Sequence, residues 1–233
     1  MTLERTWSMA SAQTHSLLDL TDCGVGSTCM IVSRSMKKIN KHRMVIGIDQ
    51  SYKNTGISVA LDGKLIKVSS LNLSTSQFNS VKRKRLRHIV EHLIIQCLQR
   101  CSDLIIICER IRTFSGGFLS TDYIKQTGAL IATIVDVAYE HEIPVYSVDT
   151  RAWKSAVIGT SKAEEGDKKL PAINHIRKLG WEDSLLIPVK RAKKGSFEKD
   201  GLHYVWNDDA ADSACIALFG FTPGFKGKLK EEH

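Results

Sequence analysis

Two short apolar runs, Met44-Val45-Ile46-Gly47-Ile48 and Leu104-Ile105-Ile106-Ile107-Cys108, each end on an acidic residue, Asp49 and Glu109. Five apolar residues without polar alternation are the pattern of a strand covered on both faces, so these runs call for a sheet with helices on either side. Each carboxylate then stands at a strand end. A third acidic place lies in Asn207-Asp208-Asp209-Ala210-Ala211-Asp212-Ser213-Ala214-Cys215-Ile216-Ala217-Leu218, whose small and apolar residues read as a helix packed tightly on a sheet. Asp209 and Asp212, three apart, share one face of that helix.

Carboxylates brought to one spot repel one another unless some are protonated or a cation sits among them, and an all-oxygen set suits Mg2+ or Mn2+. Two such ions about 4 Å apart can stabilise both the attacking and the leaving oxygen of a phosphodiester cleavage. Taken singly, an acid after a strand reads equally as a turn former or a helix cap. Three acidic places, each after a suitable element, are harder to explain that way.

Between these places the pattern is orderly. Residues 44 to 49, 56 to 61 and 64 to 69 read as strands, with Asp62-Gly63 a two-residue hairpin signal. A helix is expected over 79 to 101, with Leu86, Ile89, Val90, Leu93, Ile94, Cys97 and Leu98 on its apolar face. Its first turns carry Lys82, Arg83, Lys84, Arg85 and Arg87, which fit a solvated face or a DNA contact equally well. After the strand at 104 to 108 come a loop over 110 to 118, a helix that Thr121 or Asp122 could cap, and a strand at 144 to 148. Helical segments near 150 to 157 and 168 to 179, a basic loop over 188 to 201 and the acidic helix complete the order, with Asp149 placed as a helix cap. Strands first, then helix and strand alternating, imply an α/β domain with a mixed sheet flanked by helices, the order of a ribonuclease H-like fold.

A chain of 233 residues can bury a sizeable core. Residues 1 to 43, Ser- and Thr-rich, acid-poor and without periodicity, read as a disordered extension; 44 to 222 as the domain; 223 to 233 as a short tail. All five methionines fall at or before Met44, so translation could start at Met30 or Met36; a targeting arm is the competing reading of the extension. The net charge of +8 is compatible with a polyanionic partner. Six cysteines without a CxxC pair fit a reduced, intracellular and soluble protein, and no apolar stretch approaches the roughly 20 residues that span a bilayer.

Four blocks of the sequence resemble RuvC-type Holliday-junction resolvases, over roughly residues 44 to 220. They are Gly47-Ile48-Asp49-Gln50-Ser51-Tyr52-Lys53-Asn54-Thr55-Gly56, Cys108-Glu109-Arg110, Trp153-Lys154-Ser155-Ala156-Val157-Ile158-Gly159 with Ala163-Glu164, and Asp209-Ala210-Ala211-Asp212-Ser213-Ala214. In the first, Gln50-Ser51 replaces a Pro-Gly that often follows the family's leading aspartate. The resemblance implies a homodimer that binds four-way DNA junctions and nicks them symmetrically with divalent metal, two Mg2+ or Mn2+ ions per site, in an intracellular, DNA-associated setting; an organellar or viral origin stays open. It implies metal ligation by Asp49, Glu109, Asp209 and Asp212, and stabilisation of phosphate charge by Lys154. A second family lysine has no exact match, Glu165 standing there, and Lys168 or Lys169 would have to serve. Where the family places a wedging aromatic, this chain has Arg112; Phe114 or Phe118 could act instead.

Arg110 and Arg112 beside that loop, and Lys190, Arg191, Lys193 and Lys194 in the basic loop, are further candidates for DNA contact, phosphate contacts giving affinity without sequence information. Two other readings stay open. The same nuclease chemistry would serve flaps, forks or hybrids, and a non-catalytic junction-binding protein would use the same surface. Gly47-Ile48-Asp49 with Thr55-Gly56 is also similar to the phosphate hairpin of actin-like ATPases, but the chain is too short for their duplicated domain.

Overall fold

The computed structural model describes residues 42–74, 79–111, 120–159, 167 and 169–232. The expectations for residues 1 to 41, including the extension and its start codon, lie outside them. The two apolar runs become β1 (Arg43–Asp49) and β4 (Asp103–Glu109), neighbours in parallel register with Ile48 opposite Cys108. On the other side of β1 lie β2 (Asn54–Leu61) and β3 (Lys64–Asn72), both antiparallel to their neighbours. Asp62 and Gly63 link β2 to β3 with φ of 48° and 81°, the double positive that a two-residue hairpin turn requires and that Gly supplies without strain. Strand β5 (Val145–Val148) runs parallel to β4, and β9 (Leu229–Glu232) closes the far edge antiparallel to β5. Among the described residues this gives a mixed six-stranded sheet in the order β3-β2-β1-β4-β5-β9.

Alternate residues of β1 and β4 feed two cores. Met44, Ile46, Ile48, Ile106 and Cys108 pack with Leu86, Val90 and Ile94 of α1 (Asn79–Leu98) and Leu130 and Ile134 of α2 (Thr121–Glu140). Val45, Ile105 and Ile107 face α3 (Thr150–Trp153), α4 (Leu170–Lys178) and α5 (Asp208–Phe219), against Trp153, Ile173, Ile176, Ile216 and Phe219. Both faces of the central strands are thus covered, which is why they carry no polar alternation. Arg87 donates to Glu140 at 2.7 Å and so ties α1 to α2, while Lys82 is buried with its ammonium 4.3 Å from the Tyr52 ring; these two cations are committed within the fold.

Three expectations need correction. The cap of α2 is Ser120, whose hydroxyl accepts from the Tyr123 N–H at 3.1 Å, rather than Thr121 or Asp122. Helix α1 stops at Leu98, short of 101. The expected loop over 188 to 201 contains strand: β6 (Leu186–Val189), β7 (Phe197–Lys199) and β8 (Leu202–Trp206) form a small antiparallel sheet in the order β6-β8-β7. Asp200 and Gly201, with φ of 52° and 76°, make its tight hairpin, and Phe197 stacks on Trp206 at 4.6 Å. The lysines and arginine of this segment obscure the short alternating strands around them. Segment 225–232, within the expected tail, makes a 3-10 turn (Phe225–Lys228) and then β9. Asp149 caps α3 as expected, accepting from the Arg151 N–H at 2.8 Å. Cys97, Cys101, Cys108 and Cys215 are free thiols. No helix among the described residues is long and apolar enough to cross a membrane.

Candidate metal centre

Parallel register at Ile48 and Cys108 puts Asp49 and Glu109 at adjacent strand ends. The third carboxylate arrives from the opposite direction, on α5. That helix lies almost on the backbone of the sheet, because β1 and β2 offer glycines beneath it: a Cβ at Gly47 would overlap the Ser213 carbonyl and the Ala217 backbone, and one at Gly56 would overlap the Asp209 carbonyl. Ser58 and Ser213 meet at 2.8 Å between their hydroxyls within the same buried seam. The small residues Ala210, Ala211, Ala214 and Ala217 are fully buried there. Small-on-small packing is thus what brings Asp212 to the strand ends.

The result is a group of three carboxylates, Asp49, Glu109 and Asp212, with oxygens all within 4.8 Å of one another. Burial pushes the Asp49 carboxyl well above its ordinary range, and Glu109, Asp212, Asp209 and Asp208 push it further. Burial likewise raises Asp212 to about 7, against the opposing charge of Lys154 and with the help of Glu109, Asp208 and Asp209. Asp212 Oδ1 is buried without a hydrogen-bond partner. A buried, partnerless carboxylate oxygen beside two further carboxylates fits a hard divalent cation, which would satisfy it and relieve the repulsion together.

Neighbouring side chains hold the ligands in place. The Thr150 hydroxyl donates to Glu109 Oε1, and Gln50 donates its amide N–H to the Glu109 backbone carbonyl, joining the ends of β1 and β4. Neither interaction is legible in the sequence; the polar Gln50 directly after a buried strand, where a proline is often expected, is the available signal. Asp209, expected beside Asp212, stands outside the group of three and accepts from Asn54 Nδ2 at 2.8 Å. Burial raises Asp209, the Asn54 bond opposing it. Lys154 opens a π-helical turn (Lys154–Ile158) that continues α3, with its ammonium 5.1 Å from the Trp153 ring. Lys169, just before α4, is ion-paired with Asp208 on the first turn of α5.

Arg110 turns back onto β5, its guanidinium 3.4 Å from both the Ser147 hydroxyl and the Ser147 carbonyl. Lys190, Arg191, Lys193 and Lys194 are exposed on the connection from β6 to β7, shaped by the Ser196 hydroxyl bonding the Lys193 backbone. Arg112, Phe114, Phe118 and Lys168 lie outside the described residues.

No protein-family model matches the sequence, and no curated protein matches it either. Similarity lies in solved structures. The chain superposes on Thermus thermophilus RuvC with a TM-score of 0.53 at 19% identity, covering 81% of this chain and 99% of that one. It superposes on T. thermophilus RuvC in complex with a Holliday junction substrate with a TM-score of 0.54 at 18% identity, covering 82% of this chain and all of the other. The yeast mitochondrial Holliday junction resolvase Ydc2 gives a TM-score of 0.46 at 16% identity, with 78% of each chain covered. The chain has the RuvC-type, ribonuclease H-like fold.

Proposed function

We propose that this protein is a metal-dependent endonuclease that resolves four-way DNA junctions by paired symmetric nicks. The observation that carries the reading is the meeting of Asp49, Glu109 and Asp212 within 4.8 Å at the strand ends. These three would hold one ion, and Asp209, on the same face of α5 as Asp212, would share in holding a second. A Mg2+ or Mn2+ held by Asp49, Glu109 and Asp212 would supply Lewis-acid activation of a water and offset of phosphate charge.

The chain's own residues do the rest. Thr150 and Gln50 fix Glu109 through its carboxylate and its backbone, so the strand end does not splay when a cation enters. Asp212, raised to about 7, is protonated in about half of the metal-free molecules near neutral pH, and that proton must leave before it ligates. Lys154, whose charge reaches Asp212, brings a cation to the edge of the cluster where a phosphate would approach. Arg110, Lys169, Lys190, Arg191, Lys193 and Lys194 would contact DNA backbone; Arg112, Lys168 and the wedge candidates Phe114 and Phe118 lie outside the described residues and stay candidates from the sequence. Symmetric nicks need two such sites, hence a homodimer. The setting is intracellular and DNA-associated.

The test is cleavage of an end-labelled mobile four-way junction against matched duplex, flap, fork and RNA–DNA hybrid, with Mg2+ or EDTA. Paired nicks at symmetric positions, lost in Asp49→Asn and Asp212→Asn while junction binding persists, are the expected result. Preferential cutting of another substrate would retain the nuclease and reassign its target; absence of cutting with either metal would leave a junction-binding protein.

A further inference from the structure

Asp209 differs from the other three acids in how it is held. Asn54, at the start of β2, uses one side-chain amide to donate twice, to Asp209 Oδ2 at 2.8 Å and to Asn207 Oδ1 at 3.2 Å. Asn207 is 5% exposed and fully engaged: Oδ1 also accepts the Ala210 N–H at 3.2 Å as the cap of α5, Nδ2 donates to Ser70 Oγ at 2.7 Å, and its backbone N–H bonds the Leu185 carbonyl at 2.8 Å. These bonds settle the amide orientations. A helix cap must accept, so Oδ1 of Asn207 faces Ala210 and Nδ2 faces Ser70; both groups that Asn54 meets are then acceptors, and only its NH2 satisfies them.

We infer that Asn54, locked by Asn207, is a positioning residue that sets the Asp209 carboxylate for metal ligation. With Oδ2 committed to Asn54, the Asp209 carboxylate loses free rotation about its last bond, and a cation would draw on Oδ1. Asn54 thus acts as outer partners of metal ligands do generally: it fixes one rotamer of the carboxylate. The chain order serves this, since Asn54, Asn207 and Ser70 bring β2, the α5 cap and β3 to one point.

The inference rests on the nuclease reading above, and its test separates the two. Mn2+ is titrated calorimetrically into metal-free wild type, Asn54→Ala, Asn54→Ser, Asp209→Asn, the double variant Asn54→Ala/Asp209→Asn, and Asp49→Asn; junction cleavage is followed over a Mg2+ series and folding by thermal melts. Loss of an outer partner of this kind weakens metal binding about 10-fold or more. The expected result is that loss in both Asn54 variants, with a matching rise in the Mg2+ needed for half-maximal cleavage and a nearly unchanged rate at saturation. The double variant should bind no more weakly than Asp209→Asn alone, because Asn54 acts through Asp209. Lowered melting temperature with unaltered metal affinity, or losses that add in full, would overturn the positioning role while Asp49→Asn still abolishes cleavage. Equal Mn2+ binding by wild type and Asp49→Asn would overturn the nuclease reading and the positioning role together.

Discussion

Gly56 of β2 lies so close beneath Asp209 that a single methyl group at residue 56 would overlap the Asp209 carbonyl. The obstacle is backbone on both sides, so no side-chain rotation can relieve it. Gly56→Ala should push α5 off the sheet and cost about 3 kcal/mol, the upper end for overpacking. It should also abolish metal-dependent cleavage, because Asp209 and Asp212 ride on that helix. A lowered denaturation midpoint together with lost Mn2+ binding checks this; wild-type behaviour in both would refute the close packing.

That seam also marks where the sequence is legible and where it is not. The runs ending at Asp49 and Glu109 announce two buried strands, and the Ala- and Ser-rich surroundings of Asp209 and Asp212 announce a tightly packed helix; those signals come from burial, which composition records directly. The clamps on the carboxylates are not legible. Asn54 opens β2, Gln50 follows β1 and Thr150 opens α3; their partners lie 155, 59 and 41 positions away, and only tertiary geometry pairs them. Strand β9 is hidden for a related reason: Leu229-Lys230-Glu231-Glu232 carries little apolar pattern because it is an edge strand, held by β5 pairing and by Ser147 donating to Glu232 at 2.6 Å.

Asp49→Asn should stabilise the metal-free protein. Its carboxyl is raised by burial and by four neighbouring acids, so neutralising it removes an unfavourable charge from the native state. A gain on the order of 1 kcal/mol is expected, the usual trade between site chemistry and stability. Thermal melts in EDTA should show a higher midpoint than wild type and no further rise with Mg2+. A lower midpoint in EDTA would mean that the ionised carboxylate makes a favourable contact in the fold.

Metal-free stability should fall as pH rises through the window bounded by the unfolded aspartate value and that of the native site. The unfolded Asp212 carboxyl titrates near 3.8 and the native one at about 7, with Asp49 raised in the same direction. Between those values the native state keeps a proton that the unfolded state has released, so rising pH favours unfolding. Asp62 and Glu140, lowered by hydrogen bonds from His42 and Arg87, are already ionised across the upper part of this window and do not oppose the trend there, whereas His175, lowered by burial, opposes it as one group against the two raised carboxyls. Melting midpoints in EDTA should therefore decline from about pH 5 to about pH 7.5, while the increment from saturating Mg2+ grows, since ligation requires the deprotonated acids. A rising metal-free midpoint over that range would contradict the site's electrostatics.

The basic connection between β6 and β7 should contribute to DNA affinity rather than to fold stability. Lys190, Arg191, Lys193 and Lys194 are exposed, and their side chains make no hydrogen bond or ion pair among the described residues, whereas the turn itself is shaped by backbone and Ser196 bonds and the small sheet by Phe197 on Trp206. Replacing the four by Ser should leave the melting midpoint nearly unchanged. Each cation that neutralises a phosphate adds about 1 to the salt slope of binding, so removing all four would flatten the plot of log affinity against log salt by about 4. Binding of a four-way junction measured over a salt series decides it. An unchanged slope would place the DNA path elsewhere on the domain, whereas a flattened slope with cleavage preserved at low salt would assign this turn to a DNA arm and leave the chemistry to the carboxylates.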